Sequence, residues 1–278
     1  MTLTKENVSK LIEPLAKITN RTGDLLLAHY ESGEFKTYSK ADESPVTSAD
    51  IAASELLTKE LSLLTPDVPV LSEEAIQPWR ERKRWQTYWL VDPLDGTQEF
   101  VAGSGDFAVS IALIHDGKPV LGMIGWPVAD RLYFAAAGYG AFKRSQGHQE
   151  RIHVRKLEDP RYDPITIALS RRQPESRVLS RLGEQRPIAI MHTGSCALKS
   201  ALVAEGKADV FMRIGPTGEW DTGAAEILVQ EAGGQLLDLH FQPLTYNQTA
   251  DTGNPNFLVL GDPLVQWDQI FPAPVVDN

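Results

Sequence analysis

The chain has 278 residues, 42% of them hydrophobic, enough to bury one large core or two moderate ones, which excludes a disordered or fibrous protein. Its 37 Asp and Glu outnumber its 27 Lys and Arg, and the resulting formal charge of -10 argues against a nucleic-acid polymer as partner. The single cysteine, Cys196, excludes an intramolecular disulfide and suits a reducing compartment. It sits in no CxxC or Cys/His spacing and reads as a small buried apolar residue. The first residues lack the apolar core of a secretory signal, and no stretch reaches the ~18 apolar residues of a membrane span, so a cytoplasmic protein is expected.

Residues 8–30 carry Val8, Leu11, Ile12, Leu15, Ile18, Leu25, Leu26 and Tyr30 at largely helical spacing, predicting one amphipathic helix or two, with Pro14 and Gly23 as places for a break. Residues 35–38 read as a short strand and 39–45 as a polar turn. Thr47-Ser48-Ala49-Asp50 then precedes a helical pattern over 51–64, which leaves Asp50 either a helix cap or a catalytic group. Residues 69–71 form a short strand that ends in Ser72-Glu73-Glu74.

The same pattern recurs at 88–91. There a buried strand is predicted to end in the turn Asp92-Pro93-Leu94-Asp95-Gly96-Thr97. Pro93 fixes its own φ and Gly96 can take a positive φ, so Asp92 and Asp95 can point at one spot, with the Leu94 carbonyl between them and the Thr97 hydroxyl beside them. Such hard oxygen donors suit Mg²⁺ or Mn²⁺. An Asp-rich turn with no further role is the alternative for this stretch taken alone.

Strands at 106–114, 119–124 and 131–136, joined by hairpin signals, complete an α+β first half on a mainly antiparallel sheet. The polar stretch 146–164 is the predicted boundary, dividing the chain into 1–150 and 151–270. The second half alternates as α/β: strand 165–169, helix 174–182, strand 188–191, helix 195–205, strand 209–214, helix 221–232 and strand 235–239. Asp221 opens the last of these helices, where it caps the helix or supplies a further ligand. From Trp267 on, Pro272 and Pro274 suggest a loose end, with residues 271–278 as a tail.

Taken together, Leu71-Ser72-Glu73-Glu74, Trp89-Leu90-Val91-Asp92-Pro93-Leu94-Asp95-Gly96-Thr97 and Trp220-Asp221-Thr222-Gly223-Ala224 resemble the lithium-sensitive, magnesium-dependent phosphatases of the inositol monophosphatase superfamily. The segments 42–50, 68–74 and 213–217 are most similar to its bacterial 3′(2′),5′-bisphosphate nucleotidases, the CysQ type. The resemblance implies a layered α-β-α-β-α sandwich. It also implies a phosphomonoesterase that acts on a small phosphorylated substrate, adenosine 3′,5′-bisphosphate, and leaves AMP and phosphate.

By the same resemblance, Glu73, Asp92 and the Leu94 carbonyl hold one Mg²⁺, and Asp92, Asp95 and Asp221 hold a second; a third ion and replacement by Mn²⁺ stay open. Glu74 is the less critical glutamate. Gly96 and Thr97 bind the substrate phosphate through backbone N–H groups, and Thr97 with Asp50 or Glu73 activates water. Lys199, Arg171, Arg172 and Arg213 are the cations available to a second phosphate. Peripheral attachment at the cytoplasmic face of the inner membrane also stays open. The chain departs from the nucleotidase pattern at Gln98, at Ser170-Arg171-Arg172-Gln173 and at Gly194-Ser195-Cys196-Ala197-Leu198-Lys199, all of which bear on base and second-phosphate recognition. An inositol or sugar phosphate is the rival substrate. A metal- and nucleotide-binding sensor is the rival class.

Overall fold

A computed structural model describes residues 4–39, 45–184 and 186–274. The expectations for residues 1–3, for 40–44 within the polar turn and for 275–278 of the tail lie outside the described residues. Helices α1 (Lys5–Ser9) and α2 (Ile12–Ser32) open the chain. The break falls at Lys10 and Leu11, so Pro14 lies in the first turn of α2, where a missing N–H costs no helix bond. Gly23 lies inside α2 and does not interrupt it.

A small hairpin, β1 (Thr37–Ser39) and β2 (Pro45–Thr47), leads into α3 (Ser48–Leu64). There follow β3 (Val70–Ser72), α4 (Trp79–Arg82), β4 (Thr87–Asp95), α5 (Thr97–Val101), β5 (Ala108–His115), β6 (Lys118–Trp126), β7 (Arg131–Ala136), β8 (Gly140–Ser145) and β9 (His148–Ile152). Strands β3 to β9 form one seven-stranded sheet in sequence order, with only β3 and β4 parallel. Strands β8 and β9 escaped the sequence reading because their polar residues resemble a loop. The predicted boundary at residue 150 therefore falls inside β9.

The second half runs β10 (Ile165–Leu169), α6 (Ser176–Leu179), β11 (Ile188–His192), α7 (Cys196–Ala204), β12 (Val210–Arg213), α8 (Gly223–Glu231), β13 (Gln235–Asp238), β14 (Phe257–Leu260) and α9 (Trp267–Ile270). Its sheet has the order β11-β10-β12-β14-β13, parallel around β10 and antiparallel around β14. The unforeseen β14 is buried along its whole length between β12 and β13. The chain end is packed up to Phe271: Trp267, Ile270 and Phe271 are buried, and the Gly183 N–H donates to the Ile270 carbonyl. This corrects the loose tail at that residue, because two prolines end a helix without preventing its apolar face from docking.

Three apolar clusters give the layers. Leu15, Leu26, Leu57 and Leu61 of α2 and α3 pack on Trp89, Val91, Ile111 and Leu113 of the first sheet. The other face, with Leu90, Ala112 and Tyr133, meets α7 and α8 through Ala201, Ala224 and Ile227, which in turn cover Ala168, Phe211 and Val259 of the second sheet. Ile167, Val210 and Leu258 on the far face pack against Val178, Trp267 and Ile270 of α6 and α9. The order is α-β-α-β-α, as the resemblance implies. Glycine makes the central contact close: a Cβ on Gly122 of β6 would lie 2.7 Å from the Ala224 carbonyl of α8.

Candidate active site

The strand β4 does not end at Val91, where the sequence reading placed its end; it continues through Asp95. Asp92 faces Ser110 and Asp95 faces Ala108 on β5, so three steps on one strand oppose two on the other. The extra residue is a bulge. In a regular strand, residues three apart point to opposite faces. The bulge removes that difference and brings both acids to one site.

The Leu94 N–H donates back to Asp92 Oδ1 at 3.0 Å, fixing the carboxylate within the bulge. Gly96 follows with φ 98, and a Cβ there would stand 2.9 Å from the Asp106 carbonyl oxygen. Only glycine meets both conditions. Thr97 then starts α5, its Oγ1 lying 2.9 Å from Asp50 Oδ1 and 3.2 Å from the Leu94 carbonyl oxygen.

Asp50 fills the capping role, and its second carboxylate oxygen faces Thr97. Its Oδ2 accepts from the Thr47 N–H at 2.7 Å and the Thr47 hydroxyl at 2.5 Å, closing a capping box at the start of α3, while Oδ1 faces Thr97. Burial pushes its carboxyl above the usual range, against the lowering effect of these hydrogen bonds.

Asp221 stands in a 3₁₀ turn, Glu219–Asp221, one turn ahead of α8 rather than at its first residue, and accepts the Gly218 N–H at 2.7 Å. Asp95 is held from the opposite side by the start of α7: the Ser195 hydroxyl at 2.5 Å, the Cys196 N–H at 3.1 Å and the Ala197 N–H at 2.6 Å. Ser195, at φ 56, also caps α7 through the Leu198 N–H. The sequence places a helix start at Ser195 but carries no local signal of its bond to Asp95. Cys196 is buried, and burial, followed by Asp221 and Asp95, pushes its thiol pKa up, consistent with an unreactive apolar role.

Asp92, Asp95 and Asp221 each place a carboxylate oxygen within 4.8 Å of the others. Burial first, then Glu73, Asp95 and Asp221, push Asp92 well above the ordinary carboxylate range; burial, then Asp95 and Glu73, do the same to Asp221. This is a set of hard oxygen donors too close to ionise together without cations, and it fits a divalent ion. Glu73 lies outside the tight trio but acts on two of its members and lines the same cavity. Glu74 does not line it, and its N–H lies 3.4 Å from Ser72 Oγ.

The cavity over these acids has a volume of about 490 Å³. Its lining includes the acids Glu73, Asp95 and Asp221 with the Gly96–Thr97 turn, taken as its floor, and Lys199, Arg172, Arg213, Gln173 and Thr217, taken as its rim. Lys199 is buried, donates to the Ser195 carbonyl at 2.5 Å and lies 4.9 Å from the Phe211 ring; burial lowers its pKa. Arg213 donates through Nη2 to the Pro216 carbonyl, while its buried Nε, Gln173 Nε2 and Thr217 Oγ1 have no partner among the described residues.

Arg171 is not among the residues that line the cavity. Asp106, which also accepts the Gly194 N–H, draws Arg171 Nε to 2.7 Å, and Arg172 turns to the cavity instead, with Nη2 on the Gln98 carbonyl at 2.9 Å. A larger hollow of about 700 Å³ by Tyr162, Arg186 and Leu264 is lined by none of the acids of the site and has no comparable convergence of functional groups.

Among the described residues, no helix is long and apolar enough to cross a membrane. Residues 7–256 match the model of the inositol monophosphatase family. The chain is 40% identical over 262 residues to the 3′(2′),5′-bisphosphate nucleotidase CysQ of Haemophilus influenzae, covering 94% of this chain and 96% of the relative. It is 41% identical to the protein of that name in Escherichia coli K12, covering 90% and 99%. The crystal structure of CysQ from Bacteroides thetaiotaomicron matches with a TM-score of 0.77 at 34% identity, covering 90% of this chain and 96% of that one. With family model, relatives and fold in agreement, the chain belongs to the inositol monophosphatase family.

Proposed function

We propose that the protein is a Mg²⁺-dependent 3′(2′),5′-bisphosphate nucleotidase that hydrolyses the 3′-phosphate of adenosine 3′,5′-bisphosphate, consuming one water and releasing AMP and phosphate. The observation that carries this reading is the pairing of the Asp92, Asp95 and Asp221 cluster with the Lys199, Arg172 and Arg213 rim of one cavity. The relatives named as bisphosphate nucleotidases at about 40% identity support the choice of substrate. The single cysteine suits the cytoplasm as the setting.

Glu73, Asp92 and the Leu94 carbonyl would hold one ion, and Asp92, Asp95 and Asp221 a second, with Mn²⁺ able to replace Mg²⁺. Divalent ions so held supply Lewis acidity, making water a nucleophile at neutral pH and offsetting charge on the phosphate oxygens. The Gly96 and Thr97 N–H groups at the start of α5 take a phosphate oxygen. Thr97 Oγ1 orients the attacking water, and Asp50 Oδ1, 2.9 Å away, receives the proton that the hydroxyl relays; Glu73 is the alternative acceptor. Lys199, Arg172 and Arg213 meet the second phosphate at the rim.

The test is phosphate release from adenosine 3′,5′-bisphosphate, inositol 1-phosphate and fructose 1,6-bisphosphate side by side, with Mg²⁺, with EDTA and in Asp92→Asn. The nucleotide turning over fastest, with both controls silent, is the expected result. A faster inositol or sugar phosphate overturns the substrate assignment, and tight nucleotide binding with no release in saturating Mg²⁺ favours a sensor.

A further inference from the structure

The turn that carries Asp221 is braced from a loop that follows β13. The Glu219 N–H donates to the Thr252 carbonyl at 2.8 Å, the Asn254 N–H donates to the Thr217 carbonyl at 2.9 Å, and Asn254 Nδ2 reaches Thr222 Oγ1 at 3.1 Å. The buried Glu219 carboxylate accepts the Asn247 N–H, 2.9 Å from each oxygen. Asn247 itself is clasped by Arg82 at the end of α4, 165 residues away: Nη1 donates to Asn247 Oδ1 at 2.6 Å, and Asn247 Nδ2 returns a bond to the Arg82 carbonyl at 2.6 Å. The Arg82 guanidinium also donates to the Thr249 and Ala250 carbonyls and lies 4.9 Å from the Trp79 ring.

Arg82 is 1% exposed and does not line the cavity, so it cannot meet substrate. Burying a guanidinium costs on the order of several kcal/mol, a cost that an apolar residue of similar volume would avoid. What the charge secures is the loop at 247–250, through three acceptors in a fixed fork, and through Asn247 it secures Glu219, two residues before Asp221. The chain of contacts runs from the N-terminal half, which carries Asp92 and Asp95, to the turn that must bring Asp221 to them.

We propose that Arg82 is a positioning residue for Asp221, acting through Asn247 and Glu219 to hold that carboxylate in register with Asp92 and Asp95. The proposal rests on the reading of Asp221 as a metal ligand. If the brace loosens, the two ligands on the β4 bulge stay in place while the third wanders, so affinity for the ion falls before the affinity for nucleotide.

The test measures Mn²⁺ binding by electron paramagnetic resonance, together with the melting temperature and the nucleotide KM at saturating Mg²⁺, in wild type, Arg82→Met, Arg82→Lys, Asn247→Gly and Asp221→Asn. Glycine is chosen at position 247 because the residue has φ 53 there. Arg82→Met and Asn247→Gly should each weaken Mn²⁺ binding about tenfold or more, with the nucleotide KM held within about twofold. Arg82→Lys should recover part of the loss. A lowered melting temperature with wild-type Mn²⁺ affinity in Arg82→Met or Asn247→Gly makes the network merely structural and overturns the proposal. If Arg82→Met does not fold, Asn247→Gly decides, since it cuts the same link without stranding a second buried charge. Wild-type Mn²⁺ affinity in Asp221→Asn instead overturns the reading of Asp221 itself; loss there with none in Asn247→Gly overturns the brace alone.

Discussion

At and beneath the floor of the cleft, Asp50, Asp92, Asp95 and Asp221 each accept a backbone N–H, from Thr47, Leu94, Ala197 and Gly218 respectively. On the rim, Arg213 hangs by a guanidinium bond to one carbonyl, Arg172 by one carbonyl and an ion pair with Glu99 at 3.5 Å, and polar atoms of Gln173, Arg213 and Thr217 lack a partner among the described residues. The floor is held by backbone bonds of the fold, whereas the rim carries polar atoms whose hydrogen bonding a bound substrate would complete on the proposed reading. A preorganised floor suits stabilisation of a transition state, and an unfinished rim suits the selection of a substrate.

The largest effect should come from the floor. Asp92→Asn removes the carboxylate proposed to serve both ions and should lower turnover of every phosphomonoester by on the order of a thousandfold or more in steady-state assays. Thr97→Val keeps the shape of α5 and removes the hydroxyl facing Asp50. It should lower kcat about a hundredfold with little change in KM. A rim change reads differently: Arg213→Met should raise the KM for adenosine 3′,5′-bisphosphate by roughly tenfold, as expected for a lost hydrogen bond to a charged group, and leave kcat nearly unchanged. A fall in kcat as large as that of Thr97→Val would erase the distinction between floor and rim.

The smallest effect lies outside both. Glu226 in α8 is pushed up by burial to about 7, from an ordinary 4.5, and its carboxyl oxygens lie 2.6 Å from the Tyr246 hydroxyl and 2.9 Å from Gln230 Nε2. Because the folded value lies above the unfolded one, the stability that this proton contributes is complete below about 4.5 and is lost as pH rises through about 7. Glu226→Gln should therefore flatten the fall in melting temperature between about pH 5 and pH 8. An unchanged slope would show that Glu226 does not drive it.

The acids of the floor and most of the cations of the rim were legible in the sequence, whereas the contacts that orient them were not, for a physical reason. Asp92, Asp95, Gly96 and Thr97 follow one another along six residues of chain, so local turn chemistry announces them. The bulge that aligns the two aspartates was not foreseen, because a bulge is a property of two paired strands and β5 lies beyond the turn. Ser195 and the α7 start reach Asp95 across 100 residues, a distance no local pattern spans. Arg171 and Arg172 are adjacent and chemically alike, so only the position of Asp106 decides which of them lines the cavity. In the fold, most apolar helices and strands of the core were readable from periodicity, β14 excepted, whereas β8 and the edge strand β9 carry polar residues that resemble a loop.

The most direct test of the separation between floor and rim compares kcat/KM for adenosine 3′,5′-bisphosphate with that for adenosine 3′-monophosphate, in wild type and in Lys199→Met. The account predicts that wild type strongly prefers the bisphosphate, and that the variant loses most of that preference while still hydrolysing the monophosphate at close to the wild-type rate. A preference that survives in Lys199→Met, or an equal collapse on both substrates, would contradict it.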